Sequence, residues 1–268
     1  MLLNIIIIVL RETLEASILI SVMLSISKTN GIAISWLSLA LLAGIVGGVL
    51  YAINLATISE LLDYVGQEVT NAFILCLIYC ALVIVCWGQY LASAMWLRVL
   101  PLCMGAGVAL AITREGGELI VFYSGFMQGG ASLVNAITSG FIGLTVGMSA
   151  GALCFYALIS LSLYKAKMAH LVMLSLIAGG VLLQASLLFI QADWLSYNMP
   201  VWDSSNIMSE TSIIGQIAYA VFGYEATPSR ASVFSYVFAI VFIVGGLLML
   251  ANNNKQSITN NPEKYTES

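Results

Sequence analysis

The chain has 268 residues, 60% of them hydrophobic and only 8% charged, with a formal net charge of −4 and a mean hydropathy of +1.00. This composition lies far outside that of soluble domains, and the acidic balance excludes a nucleic-acid binder. The apolar runs are long and continuous where a transmembrane β-barrel needs short alternating segments, so the chain reads as an all-α, polytopic membrane protein.

A crossing helix needs about 20 mostly apolar residues, because the hydrocarbon core is about 30 Å thick and each residue rises about 1.5 Å. Seven spans are predicted, at 2–26, 32–57, 71–91, 99–123, 131–163, 169–191 and 231–250. The first carries RETLE (11–15) at its centre and lacks a basic leading segment, so it reads as a retained helix and not a secretion signal. The second contains Gly44 and Gly48, spaced for close helix packing. The fifth is longer than one straight crossing requires, which predicts a tilt or a break near its glycines. Its GLTVGMSAG (143–151) is a G-x-x-x-G-x-x-x-G ladder that lets two backbones approach. His170, at one end of the sixth span, is expected at the surface. The connector 192–230 is expected to be solvated, or to hold an interfacial helix anchored by Trp194, Tyr197 and Trp202. The polar tail 251–268 is expected to be disordered.

Lys28, Arg98, Lys165, Lys167, Lys255 and Lys264 all fall on one side of this seven-span arrangement. Glu60, Asp63, Glu68, Asp193, Asp203, Glu210 and Glu225 fall on the other, with Arg230 as the basic residue there. The positive-inside rule then places the N-terminus outside and the C-terminus in the cytoplasm of a cell inner or plasma membrane. In that orientation the first span descends and the fourth ascends. The fourth carries REGGE (114–118), so R-E-x-x-E heads each of two successive three-helix groups. Spans one to three and four to six are therefore candidates for an inverted 3+3 repeat, followed by one C-terminal helix.

On a helix, Arg11, Glu12 and Glu15 share one face, and so do Arg114, Glu115 and Glu118. Each central charge costs roughly 2.5–3.5 kcal/mol to insert, so partners must offset all six. Four glutamates against two arginines leave a net −2 in low dielectric, which invites a cation or protons. Carboxylates are hard donors suited to hard or borderline metal ions. Cys76, Cys80, Cys86, Cys103 and Cys154 show no zinc-ligand spacing and read as packing residues, and the methionines read as apolar filler. No H-E-x-x-H and no nucleophile beside a base is found, so an enzyme is not expected.

RETLE and REGGE, in the first and fourth of seven spans, resemble the paired R-E-x-x-E motifs of the oxidase-dependent iron permease family, which includes the fungal high-affinity iron permease and bacterial ferrous-iron uptake permeases. GYEATPS (223–229) is similar to a segment that the family carries before its last span. The resemblance implies a permease domain over residues 1–250 that imports iron, with ferrous iron oxidised to ferric at the outer face by a partner oxidase. It places ligand roles on Glu12, Glu15, Glu115 and Glu118, with Arg11 and Arg114 balancing their charge. Iron is then the transported substrate, with no tightly bound cofactor, and an extracytoplasmic oxidase or iron-delivery protein is the expected partner beside the lipid bilayer. QEVTNA (67–72) resembles the start of the family's third span, but Asn71 stands where a second acidic residue is usual. Glu68, Glu60, Asp63 and Glu225 are expected to guide cations at the outer face. Alternative readings are uptake of another heavy or divalent cation, such as lead or manganese, and a non-transporting, metal-sensing membrane subunit.

Overall fold

The computed structural model describes residues 2–91, 94–128, 133–196 and 199–260. Its order is α1 (Leu2–Thr29), α2 (Ser35–Ile53), α3 (Leu55–Ser59), α4 (Leu61–Tyr64), α5 (Gly66–Gly88), α6 (Ala94–Gln128), α7 (Leu133–Ile159), α8 (Leu163–Gln191), α9 (Ile213–Phe222) and α10 (Arg230–Asn260). Six of these, α2, α5, α6, α7, α8 and α10, are long and apolar enough to cross a membrane. The 28-residue α1 is longer than several of them, but Arg11, Glu12 and Glu15 keep its composition outside that set.

The burial pattern is that of a protein whose solvent on the outside is lipid. Leu39, Leu42, Ile53, Phe141, Leu153, Phe234 and Leu248 are exposed, while Glu12, Arg114, Glu115, His170 and Gln184 are buried. Charges gather inside because only other protein groups can satisfy them there.

α1 packs along α7, α2 along α6, and α5 against α8. Exchanging the group α1–α2–α5 with the group α6–α7–α8 turns the α1–α7 pairing into α2–α6 and maps α5–α8 onto itself. Glycines set the two closest approaches. A Cβ on Gly143 would meet the Ile6 carbonyl at 2.6 Å, one on Gly147 the Thr13 side chain at 2.8 Å, and one on Gly151 that of Ser17 at 2.7 Å. Ser17 and Ser21 of α1 donate hydrogen bonds to the Gly147 and Gly151 carbonyls at 2.9 and 2.6 Å. The second pairing works in the same way. A Cβ on Gly44 would meet Ile112 at 2.6 Å, and one on Gly48 the Gly117 nitrogen at 3.3 Å. Small residues admit the backbone contact that lipid, with no hydrophobic drive between helices, cannot otherwise supply.

Several expectations are corrected. Of the alternatives for the fifth span, the break near its glycines does not occur: α7 runs unbroken from Leu133 to Ile159, with Gly143, Gly147 and Gly151 facing α1. His170 is fully buried, not at the surface, and exchanges a 2.8 Å hydrogen bond with Ser25 on α1. α10 continues to Asn260, past the predicted end of the apolar span, and residues 261–268 of the expected tail lie outside the described residues. No interfacial helix is anchored by the connector's tryptophans. Trp194 instead stacks on Phe189 with centroids 5.8 Å apart, and Trp202 lines a cavity with Glu225 and Tyr236. Tyr197 lies outside the described residues.

Candidate metal site

The helix that the connector does hold, α9, buries Gly215 and leaves Ile213, Ile214, Ile217 and Phe222 exposed, so one face packs inward and the other is apolar and outward. It starts at Ser212, whose hydroxyl accepts from the Gly215 N–H at 3.0 Å, and stops at Gly223 in the left-handed conformation, φ 67°. It packs on α1 and α8. Gly223 lies against Gly180 so closely that a Cβ on Gly180 would meet the Gly223 nitrogen at 3.2 Å. Gly180 lies 11 residues inside the Gln191 end of α8, which is about 16 Å along the helix at about 1.5 Å per residue. The loop thus dips deep beside α8, and GYEATPS forms the floor of that dip. Its backbone is held by the strand-like pairing of Val201 N–H to Pro228 and Ser204 N–H to Ala226, each 2.9 Å. Irregular backbone at depth is tolerated where protein surrounds it or where it lines a cavity.

The two R-E-x-x-E helices meet at this depth. Carboxylate oxygens of Glu12, Glu115 and Glu118 all lie within 4.8 Å of one another, so both motifs contribute to one cluster. Arg11 pairs with Glu12, donating from Nε at 2.9 Å, and stands 5.9 Å from the centre of the Tyr219 ring on α9. Arg114 is shared more widely. It pairs with Glu115, reaches Glu118 at 3.3 Å, and approaches Glu15 at 3.7 Å. Glu15 stands apart from the trio. Its Oε2 accepts from Gln184 Nε2 on α8 at 3.3 Å, so the helical spacing that puts Arg11 and Glu15 on one face does not make them a pair.

One oxygen on Glu12 and one on Glu115 are buried with no hydrogen-bond donor. Two carboxylates facing each other in low dielectric, each with an unused lone pair, form a site for a cation. The donors are all oxygen, which suits hard or borderline metals. Among the described residues the five cysteines are free and none joins this cluster.

The predicted outer acidic residues divide. Glu68 lines an open cavity of about 340 Å³ together with Tyr51, Asn71 and Glu118, so it shares that cavity with one member of the cluster. Glu60 and Asp63 are exposed on the turn between α2 and α5 and face no such cavity. That turn holds Leu62, Asp63 and Tyr64 at φ 54°, 61° and 71°, a left-handed conformation costing about 1–2 kcal/mol per residue. Glu225 is half-buried, with one oxygen unpartnered, in the separate cavity beside Trp202 and Tyr236.

A sequence profile of the Iron permease FTR1 family matches residues 89–257, well over half of the chain. The chain belongs to that family. It is therefore a multi-pass membrane permease with iron as its cargo, as the paired motifs lead one to expect. The matched span takes in REGGE and GYEATPS but starts after RETLE, so the place of the first motif rests on the carboxylate geometry. No curated protein and no solved structure matches the chain.

Gln184, Tyr51 and Tyr219 escaped the sequence reading. Two of them had a signal: Gln184 is an isolated amide in the apolar run VLLQASLLF, and Tyr219 sits in the short apolar stretch IIGQIAYAVF.

Proposed function

We propose that this iron permease captures iron from the outer face on the Glu12, Glu115 and Glu118 carboxylates and releases it inward past Glu15. The observation that carries this reading is the convergence of three carboxylates from both motifs within 4.8 Å, two of them with buried, unpartnered oxygens. Glu68 and Glu118 share the open cavity that leads to the cluster, which gives an incoming cation two successive acidic contacts. Arg114 holds the second motif together and Arg11 holds Glu12, so four carboxylates against two arginines leave a net −2 that attracts a cation.

The ion crossing is ferric iron, made at the outer face by a partner oxidase. An all-oxygen, anionic site favours a hard, highly charged ion in keeping with this assignment. Iron passes as substrate and not as a resident cofactor. The reciprocal packing of α1 on α7 and α2 on α6 supports an inverted repeat, and such repeats place substrate sites where their halves meet. The N-terminus lies outside and the C-terminus in the cytoplasm. Supporting this, Lys28 approaches Phe155 near the end of α7, and Tyr90, just after α5, donates to the Lys167 carbonyl near the start of α8. The basic termini of several helices thus gather at one end.

Uptake of radioactive iron in cells expressing Glu12→Gln or Glu115→Gln, with membrane levels matched, tests the assignment. Each variant should lose at least the roughly 10–100-fold typical of losing even an outer-shell partner of a metal. Wild-type uptake in both would sink the reading.

A further inference from the structure

Glu15 does not join the Glu12–Glu115–Glu118 trio, and its surroundings are built differently. Adjoining the cluster lies a small cavity of about 40 Å³, lined among others by Glu15, Gln184, Arg114, the last turn of α9 and Glu115 of the trio itself. A water needs about 10–15 Å³ of such volume, so there is room for an ion with a water or two. Gln184 is 5% exposed and uses its amide N–H on Glu15. Its Oε1 is buried and has no donor, although the residue lines the cavity.

The α9 end supplies further oxygens. The Gly223 N–H closes back on the Tyr219 carbonyl at 2.8 Å, a left-handed αL cap, and the Tyr224 N–H reaches that of Ala218 at 3.3 Å. That closure uses the carbonyls of residues 218 and 219. Among the described residues, no loop N–H returns to the carbonyls of Ala220 or Val221, and both residues line the cavity. The C-terminal end of a half-helix at membrane depth carries partial negative charge from such carbonyls and favours cations.

Depth orders the two positions. Antiparallel crossings of α1 and α6 put Glu118, at the C-terminal end of its motif, toward the Glu68 side. Glu15, at the C-terminal end of the other motif, lies toward the opposite side. The cavity holding Glu15 also reaches Ile177, 14 residues inside the Gln191 end of α8, whereas the Glu68 cavity is lined by Gln191 itself.

We infer that Glu15, the Gln184 amide oxygen and the carbonyl end of α9 form a second cation position, which the metal occupies after leaving the Glu12–Glu115–Glu118 cluster. The inference rests on the proposed transport reading. Glu15 and Glu115, both paired with Arg114, plus neutral oxygens hold the ion less strongly than the three carboxylates of the cluster do. Gln184 and α9 therefore set the rate of release and not the affinity of capture.

Two measurements on the full-length chain test this. In proteoliposomes, Gln184→Leu should cut the maximal rate of iron uptake about tenfold, the lower end of what loss of a metal-site partner costs, while half-saturation stays within about twofold. An unchanged maximal rate overturns the second position. In iron-soaked crystals, anomalous scattering at the iron edge should place the wild-type ion at the Glu12–Glu115–Glu118 cluster. In Gln184→Glu, which puts a second carboxylate in the cavity, the ion should appear beside Glu15. An empty cavity in Gln184→Glu, with the upper cluster occupied, overturns this inference alone. No ion at the upper cluster of the wild type overturns the transport reading beneath it. Should Gln184→Leu fail to fold, the Gln184→Glu density decides.

Discussion

Arg114 touches three carboxylates and Arg11 only one, although the two occupy the same place in their motifs. The difference follows from burial, since Arg114 is 9% exposed and enclosed by both motif helices while the Arg11 side chain is 36% exposed beside Tyr219. Removing Arg114 leaves buried carboxylates uncompensated, so Arg114→Ala should cost roughly 3–5 kcal/mol, read as a loss of thermal stability in detergent. Arg114→Lys keeps the charge, but a single ammonium cannot reproduce a fork that spans Glu15, Glu115 and Glu118. It should retain the fold and lose most iron uptake, whereas Arg11→Lys should lose less. Equal effects of the two lysine variants on uptake would contradict this asymmetry. The motif residues themselves were legible in the sequence, because a charge inside a span has few explanations. Their pairing was not: Glu15 bonds Gln184, a residue 169 positions away, and no local spacing reports that.

Glycine faces place the motif helices. Gly143, Gly147 and Gly151 bring α7 against the residues that flank Glu12 and Glu15, and Gly44 and Gly48 bring α2 against Ile112 and Gly117 around REGGE. Each motif helix is thus seated by the second helix of the other group. Gly147→Leu would drive its side chain into Thr13 and push α1 off α7, shifting Glu12 from Glu115. Iron uptake should fall sharply although Gly147 touches no carboxylate. Gly245→Leu, at a glycine where an added Cβ would meet nothing within 4 Å, should leave uptake near wild type. Uptake assays on both at matched membrane levels check the contrast. The sequence showed the ladders but not their partners, because a small-residue stripe specifies close approach without specifying to what. α9 was anticipated only as an interfacial helix of the connector, for a related reason: a ten-residue apolar helix is too short for a span, and its packing on α1 and α8 is not written in local sequence.

Across the whole molecule, the open Glu68 cavity, the carboxylate trio and the Glu15 cavity form a series of oxygen donors. The first member acts on capture. Glu68→Gln should raise the iron concentration for half-maximal uptake severalfold while the maximal rate changes little, since the deeper ligands remain. Added salt should narrow the gap between this variant and wild type by screening the exposed charge. A fall in maximal rate with unchanged half-saturation would instead place Glu68 among the release elements. Asn71, which stands where a second carboxylate is usual in the family, lines the same cavity with a buried, unpartnered oxygen. It offers a neutral ligand there, so the entrance carries less charge than two acids would give.

The sequence by itself determined the solvent of this protein, its long helices and the two clusters of buried charge. Those are properties of composition and of local periodicity, and an apolar run of about 20 residues or a glutamate within one has the same meaning in any fold. Tertiary structure alone decided which carboxylates come together. Three glutamates converge and the fourth is held aside by Gln184, because the positions of α6, α8 and α9 around α1 are set by glycine contacts and backbone closures between residues far apart in the chain.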